Sequence, residues 1–151
     1  MNIRIIEYRP PKIAQLFVLA ALVLHWATPL SEAYIYSNKI LGVILGAGGF
    51  GIMIWGWWLF RKNNTAICPT AKTDRLVTSG IYKFSRNPMY LGMVAMLLAV
   101  SISIGTIPFY LAAVAYFIII NNAFCPFEED KLTDAFGEVY LSYKKEVRRW
   151  F

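Results

Sequence analysis

The sequence predicts an all-α fold: a polytopic transmembrane helical bundle of about four spans, followed by an amphipathic C-terminal cytoplasmic helix. Three observations predict it. Hydrophobic residues make up 58% of the 151-residue chain and the mean hydropathy is +0.49, beyond the roughly half-apolar composition of water-soluble domains. Only 16% of residues are charged, and they gather in segments between long uncharged runs. Those segments alternate along the chain between basic and nearly neutral.

The apolar runs are taken in order. Residues 13–30 are broken only by Gln15, His25 and Thr28. Residues 40–60 contain no charge; as a helix they extend about 31 Å, enough to cross a hydrocarbon core of roughly 30 Å. Residues 89–105 and 108–124 form two shorter runs, separated by Gly105-Thr106-Ile107-Pro108. Glycine ends a helix without strain and proline suits the first turn of the next, so a tight helical hairpin is expected there. The chain is read as a single membrane domain, with two N-terminal spans over residues 1–60 and a second unit over residues 61–151.

Orientation follows from the basic residues. The N-terminal segment carries Arg4, Arg9 and Lys12, while the first loop sets Lys39 against Glu32. The central loop carries Arg61, Lys62, Lys72, Arg75, Lys83 and Arg86, with Asp74 as its only acid. Lys131, Lys144, Lys145, Arg148 and Arg149 lie in the tail among several acids. By the positive-inside rule the N-terminus, central loop and C-terminus all face the cytoplasm, in a bacterial inner membrane or the endoplasmic reticulum. Ser31-Glu32-Ala33 makes a poor signal-peptidase site, so the first run is read as a retained span. The net charge of +6 does not imply nucleic acid, because the basic residues flank apolar runs rather than forming a stripe of their own. Cys68 and Cys125 lack metal-ligand spacing, so no metal is expected, and Arg149-Trp150-Phe151 is not a prenylation box.

In the tail, Leu132, Phe136, Val139, Tyr140, Tyr143, Val147 and Trp150 recur at helical spacing with charged residues between them. This is an amphipathic helix that lies on the membrane or caps the bundle, weakened or bent at Gly137. Within the second span, Gly46-Ala47-Gly48-Gly49-Phe50-Gly51 has the letters of a dinucleotide-binding fingerprint. The fingerprint needs a strand before it and a helix beginning within it. Mid-span, these glycines serve helix packing instead, with Gly42 and Gly46 as a small-xxx-small pair. His25, alone in the first span, is either a functional ionisable group or an imidazole hydrogen-bonded to a neighbouring helix. Trp55, Trp57 and Trp58, before Arg61 and Lys62, form an interfacial aromatic belt.

Two segments are not explained by topology. Leu76-Val77-Thr78-Ser79-Gly80-Ile81-Tyr82 leads to Arg86-Asn87-Pro88-Met89-Tyr90-Leu91-Gly92, which clusters Tyr82, Asn87 and Tyr90 at the membrane surface. In Glu128-Glu129-Asp130 the helix dipole accounts for acids in a first turn. It does not account for Glu128, which shares the apolar face with Leu132 and Phe136. A carboxylate directed at the bundle is costly unless partnered, which marks Glu128 as a candidate site residue.

Taken together, these segments resemble the isoprenylcysteine carboxyl methyltransferase and phospholipid methyltransferase superfamily of membrane enzymes, whose pattern runs LVTxGxY, RHPxYxG and, after a hairpin, EExxLxxxFGxxYxxY. Here the third element is Glu128-Glu129 with Leu132, Phe136-Gly137, Tyr140 and Tyr143. The resemblance covers about the last half of the chain. It implies an S-adenosylmethionine-dependent methyltransferase acting on a lipid-like or membrane-partitioned acceptor, with membrane lipids as partners. It also implies that Arg75, Leu76, Val77, Gly80, Tyr82, Asn87, Pro88, Met89, Tyr90, Glu128 and Glu129 bind the cofactor, and that Glu128 and Arg86 serve catalysis. Three positions depart from the pattern. Asn87 and Asp74 stand where members carry histidine, and Phe124 stands where the prenylcysteine enzymes place an arginine for the substrate carboxylate. Arg149 is the candidate substitute for that arginine. Two other readings stand beside this one. Membrane sterol reductases share the C-terminal resemblance and bind NADPH. A small four-helix transporter would need an ionisable group at mid-membrane, where only His25 is available.

Overall fold

The structure, a computed structural model, describes residues 10–27, 29, 33, 35–63 and 75–151. Arg4, Arg9, Ser31, Glu32, Cys68, Lys72 and Asp74, which entered the sequence reading, lie outside the described residues. Among the described residues the regular elements are all helical. They are α1 (Pro10–Ala27), α2 (Lys39–Lys62), a 3₁₀ turn (Gly80–Lys83), α3 (Pro88–Ile104), α4 (Ile107–Ile119), a π-helical turn (Ile120–Phe124), α5 (Cys125–Phe136) and α6 (Glu138–Glu146).

The helix ends follow local chemistry. Asn38 caps α2 by accepting a hydrogen bond from the Leu41 N–H at 3.0 Å, which satisfies one of the free first-turn donors. Arg61 and Lys62 close its last turn, where the helix dipole favours cations. Pro88 and Pro108 open α3 and α4. The hairpin falls where the sequence places it, with Gly105 in the left-handed region at φ +84°. A side chain at Gly105 would also collide with Ser37, because a Cβ added there would stand 2.6 Å from the Ser37 Cβ. The segment before α2 seals this turn, since the Ile35 N–H donates to the Gly105 carbonyl and the Asn38 N–H to that of Ile102.

Helix α2 packs along α3, and α1 packs mainly on α4. Glycines set the first contact. A methyl group on Gly49 would stand 2.7 Å from the Gly92 carbonyl oxygen, and one on Gly92 would stand 2.5 Å from that of Gly49. The two backbones therefore touch, as helices associating in lipid commonly do. Gly46 meets the Ala99 methyl on the same seam, whereas Gly48 and Gly51 face open space. The glycine run thus lies wholly inside α2, as a packing surface. His25 is at the hairpin end of the bundle, its Nδ1 3.2 Å from Thr106 Oγ1 and its ring edge-on to Phe109. It is the hydrogen-bonded imidazole of the two sequence readings.

Among the described residues, three helices are long and apolar enough to cross a membrane: Pro10–Ala27, Lys39–Lys62 and Ile107–Phe136. α3 has 17 residues, about 26 Å of helix, and lies between α2 and α4. The tail differs from expectation. It does not start a separate helix after the last span, because α4 runs through the π turn into α5 as one 30-residue helix. At Gly137, where the sequence reading expects the amphipathic helix to weaken or bend, the chain breaks into α5 and α6, with φ at +53°.

The glycine seam makes a direct prediction. Gly49→Leu should lower the thermal unfolding midpoint in detergent micelles by many degrees, whereas Gly51→Ala should leave it unchanged or slightly raised, since alanine favours helix by about 1 kcal/mol. Equal midpoints for both variants would contradict backbone contact between α2 and α3.

Candidate active site

The loop before α3, α5, α6 and the C-terminal residues converge at the end of the bundle opposite the hairpin. Ser85 is the local organiser. Its buried hydroxyl donates to the Arg149 carbonyl at 2.9 Å and accepts from the Asn87 N–H at 3.2 Å. Beside it the Arg86 N–H donates to the Arg148 carbonyl. Gly80 holds the 3₁₀ turn against α2, because its φ is +62° and a side chain there would strike Leu59. That places Tyr82 in a small core with Leu59 and Val77. Tyr143 on α6 then locks the turn by donating its hydroxyl to the Tyr82 carbonyl at 2.6 Å. Burial, with the Glu128 charge adding to it, holds the Tyr82 phenol well above its ordinary pKa. Burial likewise pushes Tyr140 up to about 12. Both stay protonated at neutral pH, as donors rather than bases.

Two carboxylates sit side by side on α5 with different surroundings. Glu128 accepts a hydrogen bond from the Tyr90 hydroxyl of α3 at 2.5 Å, the partner that a carboxylate on an apolar face requires. Glu129, only 3% exposed, meets three cations. Arg86 Nη2 is at 3.3 Å, Lys144 Nζ at 2.9 Å and Arg149 Nε at 2.8 Å. Arg149 also donates from Nη1 to the carbonyl and side-chain oxygens of Asn121, and Trp150 Nε1 donates to the same side chain at 3.0 Å. Asn121 belongs to the π turn, a feature often found beside functional sites.

These elements enclose a cavity of about 560 Å³, within the usual range for small-molecule sites. Of the residues singled out in the sequence, Arg75, Leu76, Val77, Tyr82, Arg86, Asn87, Met89, Tyr90, Glu128 and Glu129 line it. Pro88 is buried behind it as the first residue of α3, and Gly80 shapes the turn without lining the cavity. Arg149 does not line it either, because its guanidinium is engaged by Glu129 and Asn121. Phe124 is fully buried, its ring edge-on to Tyr90. The sequence reading missed the part played by α1 and α2. Pro10, Met53, Ile54 and Trp57 complete an apolar wall, and only the position of Trp57 near the end of α2 hinted at it. The stacking of Arg61 over Trp57, 5.3 Å from the ring centroid, sets a cation beside that wall.

The sequence profile of the phospholipid methyltransferase family matches residues 37–139. The chain belongs to that family. The family falls within the isoprenylcysteine and phospholipid methyltransferase superfamily, and the matched span takes in the loop, hairpin and α5 that build the cavity. A similar protein is an uncharacterised one from Haemophilus influenzae, 36% identical over 62 residues, which are 41% of this chain and 98% of that protein. No solved structure matches. With its long apolar helices, this is a membrane protein of a methyltransferase family.

The cluster around Glu129 is open to test. Breaking a buried ion pair costs about 3–5 kcal/mol because charge is left uncompensated, and here one substitution strands Arg86 at nine-tenths burial. Glu129→Ala should therefore unfold at markedly lower temperature or denaturant concentration than wild type. Asp130→Ala, on an exposed neighbour, should not. Matching unfolding curves would contradict the role given to Glu129.

Proposed function

We propose that the protein transfers a methyl group from S-adenosylmethionine to a lipid-like acceptor in the membrane. One observation carries the reading: the two neighbouring family segments before and at the start of α3, and the third beyond the hairpin, line one cavity whose Tyr90–Glu128 pair joins the two arms of the hairpin. When bound, the cofactor supplies an electrophilic methyl group on a positively charged sulfur. The residues present fit such a molecule. Leu76, Val77 and Tyr82 give an apolar wall for a flat ring, and Glu128 gives a carboxylate for a cationic group. Arg86 and Asn87 keep buried donors without acceptors among the described residues.

The chain's own work in this reaction is alignment and exclusion of water. Tyr82 and Tyr140 remain neutral, so neither acts as a base. An acceptor that is already ionised, a carboxylate or thiolate, needs none, whereas an ammonium must first lose a proton. Pro10 and Pro11 of α1, with Met53, Ile54 and Trp57 of α2, supply the apolar side on which a lipid chain would lie. Arg61, Lys62, Arg75, Lys83 and Lys144 belong to the elements gathered at this end, which supports a cytoplasmic orientation for the cavity. The soluble cofactor then reaches it from that side.

Purified protein incubated with methyl-labelled S-adenosylmethionine and a membrane lipid extract should label a lipid. Glu128→Ala should reduce the label to background. Equal labelling by the two would remove Glu128 from the site. Tight NADPH binding with none for S-adenosylmethionine would replace the methyltransferase reading with the reductase one.

A further inference from the structure

Beyond α6 the residues from Arg148 to the end of the chain lie against the bundle. The Arg86 N–H donates to the Arg148 carbonyl at 3.0 Å, and the Ser85 hydroxyl to that of Arg149 at 2.9 Å. Trp150 then lays its ring against Phe117 of α4, with centroids 5.2 Å apart, and its indole N–H donates to Asn121. These contacts locate the segment in depth. The outward face of α4 is apolar through Leu111, Val114, Phe117 and Ile118, all exposed. One turn after Ile118, the exposed residue is the polar Asn122. The lipid-facing surface therefore ends beside Asn121, and Trp150 lies on that edge. A Trp ring on apolar surface, with its N–H turned to a polar partner, fits the membrane–water boundary.

Exposed groups of two kinds stand beside this ring. Phe151 is 73% exposed and Phe84 68%. Arg148 and Lys83 are also exposed, and neither makes an ion pair among the described residues. The contacts join residues 85 and 86 to 149 and 148 in antiparallel order. Continued outward, that order carries Phe84 toward Trp150 and Lys83 toward Phe151. Two phenyl rings and two cations thus share one corner of the molecule. Exposed apolar surface rimmed by charge marks an interaction site, and cations on both segments favour an anionic occupant. The depth of Trp150 puts that corner at the headgroup layer. On the other side of α3, α2 shows the same combination at its end, with Arg61 over Trp57 and Lys62 over Trp58.

We infer that Lys83, Phe84, Arg148 and Phe151 form a docking surface for the anionic phospholipid headgroups of the leaflet at this end. The rings enter the boundary layer, and the cations meet the headgroup phosphates. Trp150 sets the depth. The docked segment accepts hydrogen bonds from Ser85 and Arg86, so the membrane surface steadies the loop that lines the cavity. Docking holds whatever reaction the cavity carries out.

Hydrogen–deuterium exchange of the full-length protein in lipid nanodiscs reads this docking, because the Arg86 amide is protected while it donates to Arg148. The discs contain phosphatidylcholine alone or mixed with phosphatidylglycerol, and rates are taken relative to amides around Gly105. The Arg86 amide should exchange about fivefold more slowly in the mixed discs, the scale of one basic residue at an anionic surface. Arg148→Gln combined with Phe151→Ser should abolish the difference while keeping the wild-type unfolding midpoint. Lys83→Gln combined with Phe84→Ser, on the other segment, should reduce it. Equal wild-type rates in the two lipids overturn the anionic headgroup as the occupant. A difference that survives in both double variants overturns the assignment to these four residues. Slowing that requires two copies per disc makes a second copy the occupant and overturns the lipid one.

Discussion

Glu129 gathers three cations from three parts of the chain: Arg86 from the loop before α3, Lys144 from α6 and Arg149 from the C-terminal residues. Each of these segments is short, and uncharged hydrogen bonds also join them, from Ser85 and the Arg86 N–H to the C-terminal carbonyls and from Tyr143 to the Tyr82 carbonyl. The shared counter-charge adds a contact that all three make at one point. Desolvating one carboxylate is costly, and three cations with additional hydrogen bonds from Arg149 to Asn121 compensate for it. The cost itself favours a single arrangement, since any displacement of one segment strands charge in the interior. The cavity is what this arrangement encloses.

The membrane part of the chain supplies the frame. Backbone contact at Gly49 and Gly92 brings α2 against α3 so closely that Met53, Ile54 and Trp57 can share a wall with Met89 and Tyr90. The π turn gives the other half of the frame. It carries α4 into α5 without a break and offers Asn121 to Arg149 and Trp150, which ties the end of the chain to the bundle. Glu128 and Glu129 then follow on one helix, the first directed to Tyr90 and the cavity, the second to the ion cluster. Adjacent residues of the same type thus do different work, set by what each one faces.

Much of this is legible in the sequence because it depends on local signals. Apolar run length, Gly105 at the end of one run and Pro108 at the start of the next fix the elements one at a time. The glycines at 46 to 51 separate from a nucleotide-binding loop because the flanking residues stay apolar. Glu128 stands out because a carboxylate on an apolar face needs a partner. What is not legible depends on pairings across the chain. Arg86 lies far from Glu129 in sequence, and a first-turn acid has a sufficient local explanation in the helix dipole. Arg149 reads as available for a substrate for the same reason, since nothing near it in sequence shows that Glu129 and Asn121 occupy it. The continuous α4–α5 helix is hidden by Pro126 and by the change from apolar to charged residues, both of which suggest a new element. The π turn has no signature of its own in sequence.

The central claim is that the loop and α5–α6 are two halves of one cofactor pocket. Hydrogen–deuterium exchange with and without S-adenosylhomocysteine tests it most directly. The account predicts that residues 75–91 and 125–143 gain protection together, while the hairpin end around Gly105 is unchanged. Protection of one segment without the other, or protection by NADPH in place of S-adenosylhomocysteine, would contradict it.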